Sequence, residues 1–77
     1  MVEAYVLIQT EVGKQPAVTS AVNQIEGVVS ADSVAGPYDV IVRVAADDID
    51  SLGKLTSSEI QAVNGITRTL TCPVLHL

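Results

Sequence analysis

Val28-Val29-Ser30-Ala31-Asp32-Ser33-Val34-Ala35-Gly36-Pro37-Tyr38-Asp39-Val40-Ile41-Val42-Arg43-Val44-Ala45 lies in the middle of the 77-residue sequence and has the pattern of two strands joined by a turn. Both ends of the stretch are rich in β-branched residues, which favour a pleated strand. The four residues Gly36-Pro37-Tyr38-Asp39 between them have turn chemistry. Glycine tolerates a positive φ, proline fixes its own φ, and aspartate bonds nearby backbone. Two strands joined by a hairpin follow. Ser30, Asp32 and Ser33 make the first strand polar along much of its length, as suits a sheet edge. The second, residues 39–45, is apolar in almost unbroken succession, the pattern of a central strand covered on both faces. Arg43 interrupts it, and a lone arginine there snorkels or pairs with an acid. The turn itself carries two readings. A Gly/Pro/Asp cluster is ordinarily only a turn. This one also holds the only tyrosine outside the first strand and a carboxylate poised before an apolar run, which is where a small molecule would be sought.

Working outward, residues 4–10 form a first strand with little polar alternation, again expected to be buried on both faces. Pro16 suits the first turn of a helix, where its missing N–H is no loss. Val18, Ala21, Val22 and Ile25 then mark one helical face, and Gly27 ends the helix. After the hairpin, Asp47 is a capping residue for a second helix whose buried face reads Ile49, Leu52, Leu55, Thr56, Ile60 and Val63. Asp50 and Lys54 have the spacing of a helical ion pair. Gly53 and Thr56-Ser57-Ser58 are weak helix sequence, so a bend or fraying is expected there. Asn64-Gly65 ends this helix. Residues 66–75 form a last strand, with Pro73 placing it at an edge.

The order is β-α-β-β-α-β. Ile25-Glu26-Gly27-Val28 matches Val63-Asn64-Gly65-Ile66 at an offset of 38 residues, about half the chain. Two such halves make an α+β, ferredoxin-like fold: a four-stranded antiparallel sheet with both helices on one face. The opposite face is left bare, although the first and third strands are apolar on both sides. A second copy of the same sheet is the simplest cover, so the chain is expected to dimerise through that face.

Composition points the same way. The chain is 48% apolar and 17% charged, so it is globular, and one domain spanning residues 1–77 is expected. With 3% aromatic residues, its core must be built from Val, Ile, Leu and Ala. A core this small is marginal without disulfide, metal or oligomerisation, and Cys72 has no partner for a disulfide. The net charge of −5 and four scattered basic residues exclude a phosphate-neutralising stripe, and with it direct nucleic-acid binding and an anionic membrane surface. The longest apolar run, residues 4–8, is too short to span a bilayer. No signal-peptide pattern opens the chain, and a single cysteine suits a reducing cytoplasm.

Little in the sequence supports catalysis. His76 lies one residue from the end without an acid–base partner, and Cys72 beside Leu70 and Val74 reads as a small hydrophobe rather than a nucleophile. The glycines are isolated and form no phosphate loop. No ligand set for a metal or other cofactor is present, and the acids at 47, 48 and 50 read as helix capping. Two features remain. One is Tyr38-Asp39; the other is a threonine stripe, Thr67, Thr69 and Thr71, along one side of the last strand. The stripe is either ordinary β-propensity or a set of hydroxyl donors. A carboxylate, hydroxyls and backbone N–H groups near Gly36 together suit a zwitterion such as an amino acid.

At these residues the sequence resembles the effector-binding domain of the Lrp/AsnC family, often called the RAM domain. Ile25-Glu26-Gly27-Val28, Ala35-Gly36-Pro37-Tyr38-Asp39-Val40-Ile41-Val42-Arg43-Val44 and Val63-Asn64-Gly65-Ile66-Thr67-Arg68-Thr69-Leu70-Thr71 carry the resemblance, which covers nearly the whole chain. It implies a ferredoxin-like fold, homodimers that assemble further into rings, and an amino acid or related metabolite as effector, bound between dimers near the hairpin. The ligand contacts it implies are Gly36, Tyr38 and Asp39, with Thr69 and Thr71 from the last strand. It implies a non-enzymatic, cytoplasmic module of transcription regulation without a metal or cofactor. No helix-turn-helix precedes the first strand, so the resemblance implies a stand-alone effector module that co-assembles with full-length regulators. Two other readings stand beside it: a small enzyme of the dimeric α+β barrel class, and an assembly subunit without a ligand.

Overall fold

The computed structural model describes all 77 residues. The strands are β1 (Val2–Thr10), β2 (Val28–Ser33), β3 (Val40–Ala46) and β4 (Ile66–Pro73). Helix α1 (Gln15–Asn23) lies between β1 and β2, and α2 (Ile49–Lys54) follows β3 and continues as a π-helical segment, Leu55–Ile60. The sheet order is β2-β3-β1-β4, with every pair antiparallel. The apolar strands β1 and β3 are therefore central and the polar β2 and Pro73-bearing β4 are edges. This is the ferredoxin-like arrangement the halved pattern requires.

The core lies between sheet and helices. Ala4, Val6 and Ile8 of β1 and Val40, Val42 and Val44 of β3 are fully buried, against Val18, Val22, Leu52, Leu55 and Ile60 from the helical layer. Only Ala, Val, Leu and Ile contribute to this core. The other sheet face is uncovered in the single chain. Tyr5, Ile41 and Leu70 are exposed there, and Leu7, opposite Ile41 and Leu70 in register, is half-buried. Burial along β1 and β3 thus alternates with the pleat. Cys72, opposite Tyr5, is exposed rather than packed away. Arg43 answers the sequence expectation by pairing with Glu3 across β1–β3, with its guanidinium 5.9 Å from the centre of the Tyr5 ring. The hydrogen bond and positive charge of Arg43 hold the Glu3 carboxyl below its ordinary range.

The helices differ from the sequence reading in detail. α1 ends at Asn23, and Ala21 is exposed. Asp48, not Asp47, caps α2: its Oδ1 accepts from the Ser51 N–H at 2.7 Å, which lowers the Asp48 pKa. Ile49, just inside the cap, is 62% exposed. Asp50 and Lys54 form no ion pair; the chain's one salt bridge is Arg43–Glu3. The expected irregularity is real and is a π-helical turn. Thr56 Oγ1 donates to Leu52 O at 3.1 Å, and Ser57 Oγ donates to Gly53 O at 2.7 Å. Such hydroxyls compete for the carbonyls of the α ladder, and the wider i→i+5 turn brings Ile60 into the core below Leu55.

The two halves are closed alike. Gly27 and Gly65 have φ of +97° and +100°. Their carbonyls accept from Ala45 N at 2.9 Å and Glu11 N at 2.8 Å. A Cβ would be crowded at both sites. At Gly27 it would meet Leu55 Cδ2 at 2.9 Å, and at Gly65 it would meet Lys14 Cβ at 3.0 Å and Val18 Cγ2 at 3.1 Å.

Candidate functional site

The tip between β2 and β3 is a six-residue loop, 34–39, not a tight turn. Val34 N donates to Asp39 O at 2.9 Å and closes its base. Asp39 N donates to Ile8 O at 2.8 Å and ties the loop to β1. The Asp39 carboxylate turns back onto the end of β1, where Oδ2 accepts from Thr10 N at 2.8 Å and from the Thr10 hydroxyl at 3.4 Å. That end is where the β1–β4 register shifts between Gln9 and Thr10. Two amides complete the tether. Gln9 Nε2 donates to Pro37 O at 3.0 Å, and Gln15 Nε2, from the first residue of α1, donates to Val34 O at 2.9 Å and to Asp39 O.

Gly36 is exposed on the tip of the loop and its φ is not positive, so the conformational freedom expected of it is unused. A Cβ there would meet nothing within 4 Å. Tyr38 and Asp39 are half-buried. The threonine stripe lies elsewhere. Thr69 pairs with Ile8 and Thr71 with Val6, which puts both on the helix-side face of β4, and the Thr69 hydroxyl accepts from Gln61 Nε2 at 3.3 Å. Thr67 Oγ1 is spent on Gln9 O at 3.2 Å. β1 stands between the loop and β4, so Asp39 and Thr69 are separated by two strand spacings, about 10 Å. Within one chain hydrogen bonds group Val34, Pro37 and Asp39 of the loop with Gln9, Thr10 and Gln15, and Thr69 and Thr71 lie beyond β1.

Nothing in the sequence alone singled out Gln9, Thr10 or Gln15. Their bonds span 19 to 29 residues, and a glutamine after an apolar strand or before a helical proline has many ordinary uses. The largest cavity, about 390 Å³, lies at the opposite end of β3, about 20 Å away by strand rise. Glu26, Asp47, Glu59, Lys54 and Ser51 line it with Gly27, Ala45, Ala46 and Leu55. No group of three or more His, Cys, Asp or Glu side chains in the chain is placed to hold a metal ion.

Residues 3–77 match the family model described as the Lrp/AsnC ligand binding domain. The chain belongs to that family. The Lrp/AsnC match includes every residue of loop 34–39 and all of β4. The solved structure of TTHA0845 from Thermus thermophilus is similar, with a TM-score of 0.93 and 28% identity over 100% of this chain and 96% of that one. AsnC of E. coli has the same fold, with a TM-score of 0.90 and 23% identity over 99% of this chain and 52% of that one. Homocitrate synthase of Sulfurisphaera tokodaii is 39% identical over 59 residues, which is 77% of this chain and 13% of the enzyme. The chain thus spans a small fraction of that enzyme and about half of AsnC. No helix is long and apolar enough to cross a membrane.

Proposed function

We propose that this Lrp/AsnC domain is a small-molecule sensor that binds an amino acid at loop 34–39 and acts as an oligomer, without catalysing a reaction. The observation that carries the reading is the tethered loop. Both intrachain bonds of the Asp39 carboxylate fall on Oδ2, so Oδ1 is the oxygen for a ligand ammonium. Tyr38 beside it supplies an apolar wall, and Gly36 lets the ligand approach the backbone. Thr69 and Thr71 lie two strands away on the helix-side face of β4, so a neighbouring protomer is the readier source of their contacts to the same ligand. That fits a site between subunits, and the exposed Tyr5, Ile41 and Leu70 fit a dimer formed face to face through the sheets.

The module works in the cytoplasm by altering a larger partner. One candidate partner is a full-length Lrp/AsnC transcription regulator, of which a domain like this forms about half in AsnC. The homocitrate synthase match favours a second, an enzyme that carries or recruits such a domain. Mixed-subunit mass measurements with each partner class distinguish them. The ligand reading is tested by a thermal-shift screen with the twenty amino acids. A ligand at about 100 times its dissociation constant adds about 2.7 kcal/mol per site. The absence of a shift with all twenty would leave an assembly role in place of sensing.

A further inference from the structure

We infer that Gln15 is the positioning residue that holds loop 34–39 in its binding conformation; this rests on the reading that the loop contacts the ligand. Gln15 opens α1, yet it makes no helix cap: Lys14 is the N-cap position and no side chain caps there. Pro16 follows and has no N–H to satisfy. The Gln15 side chain is therefore free to cross to the hairpin. It uses its one nitrogen to bridge both ends of the loop, Val34 O at one end and Asp39 O at the other. Those two residues are also joined by Val34 N to Asp39 O, so the amide closes a ring around the loop base.

Its consequence is specific. Asp39 presents its side chain to Thr10 and its backbone carbonyl to Gln15. Fixing the carbonyl fixes the backbone from which the carboxylate projects. Gln9 restrains only the middle of the loop, at Pro37. Gln15 thus sets how far the loop is ordered before ligand arrives, and an ordered loop binds more tightly because less freedom is lost on binding. α1 is attached elsewhere too. Asn23 Nδ2 donates to Ala31 O at 3.2 Å, a bond of the same kind that does not touch the loop.

Amide hydrogen exchange on the whole chain tests this with three variants. Gln15→Met keeps an unbranched side chain of similar length without the donors; Gln15→Glu keeps the shape but, ionised, cannot donate. Both are expected to speed exchange at the Val34 and Asp39 amides about tenfold or more, with the central amides of β1 and β3 unchanged. Asn23→Ala is expected to leave the loop amides at the wild-type rate. Unchanged loop exchange in Gln15→Met and Gln15→Glu overturns the assignment, and so does an equal acceleration in Asn23→Ala. Each of the twenty amino acids, added singly, then gives the binding readout. The Gln15 variants are expected to weaken whichever one binds the wild type by about tenfold. Faster loop exchange with unaltered affinity removes the loop from the ligand site, which overturns the site reading and the ligand role of Gln15 together.

Discussion

Asp39 anchors the loop and, in the proposed site, also meets the ligand ammonium; two substitutions separate these roles. Asp39→Ala removes the acceptor for Thr10 N at 2.8 Å and for its hydroxyl at 3.4 Å. A hydrogen bond to a charged group contributes about 1.5–3 kcal/mol. The site is only part-buried, so water takes over some of the lost bonding and the lower end applies, about 1.5 kcal/mol. For a domain of this size that lowers Tm by roughly 6–12 °C. Asp39→Asn keeps an oxygen facing Thr10 and loses only the charge assistance, under about 1 kcal/mol. Toward a ligand ammonium the order reverses in importance, since loss of one charge from a desolvated pair weakens binding by about 2 kcal/mol or more. That is about a thirtyfold loss of affinity. The assays are thermal unfolding at matched protomer concentration and calorimetric titration with the amino acid that stabilises the wild type. Asp39→Asn should unfold near the wild-type temperature and bind poorly. Wild-type affinity in Asp39→Asn removes the carboxylate from the site, and wild-type Tm in Asp39→Ala refutes its role as anchor.

Other consequences follow from the same geometry. Gly65→Ala combines a left-handed backbone, roughly 1–2 kcal/mol, with contacts to Lys14 and Val18, so chemical denaturation should show a loss of at least about 2 kcal/mol; Gly36→Ala, with open space around it, should show almost none. Glu3 and Asp48 have depressed pKa values when folded, so their contributions are complete above the ordinary carboxylate range and lost as pH falls through the lowered values. Acid unfolding should accordingly be shallower in Glu3→Gln and in Asp48→Asn, and an unchanged profile would deny the pairing. Leu70→Asp puts a charge on the uncovered sheet face without touching the core. Light scattering should then give a monomer mass where the wild type gives a dimer or larger, and a wild-type monomer would end the face-to-face proposal.

The fold was legible because few residues had to be read. Unbroken apolar runs identified β1 and β3 as central, the polar Ser30-Ala31-Asp32-Ser33 run and Pro73 identified the edges, and the Gly27/Gly65 repeat gave the two halves. What escaped were local choices between near-equal options. Asp47 and Asp48 both suit a cap, and one residue's difference in where α2 starts moved Ile49 from core to solvent. Gly53 and the Thr56-Ser57-Ser58 run announced a disturbed helix but not its form, which depends on Leu55 and Ile60 both reaching the core. The apparent two-sided burial of β1 and β3 reflects a face that the single chain leaves open.

At the site, the sequence marked Tyr38 and Asp39 but not what holds them. Gln9, Thr10 and Gln15 arrive from other elements through contacts that no local pattern encodes. Spacing along a strand also says nothing about which strand lies between: within one chain β1 separates Thr69 and Thr71 from loop 34–39, so the proposed site takes them from a neighbouring protomer. Knowing the tether also changes how Asp39 is tested. Truncation to alanine is expected to perturb folding and binding at once, whereas the amide is expected to isolate binding.

The most direct test of the account is a crystal structure of the assembled protein with the amino acid that gives the largest thermal shift. Ligand density against Tyr38 and the Asp39 carboxylate, with loop 34–39 still held by Gln15, is the predicted result. Density in the cavity lined by Glu26, Asp47 and Lys54 at the other end of β3, with loop 34–39 unoccupied, would contradict it.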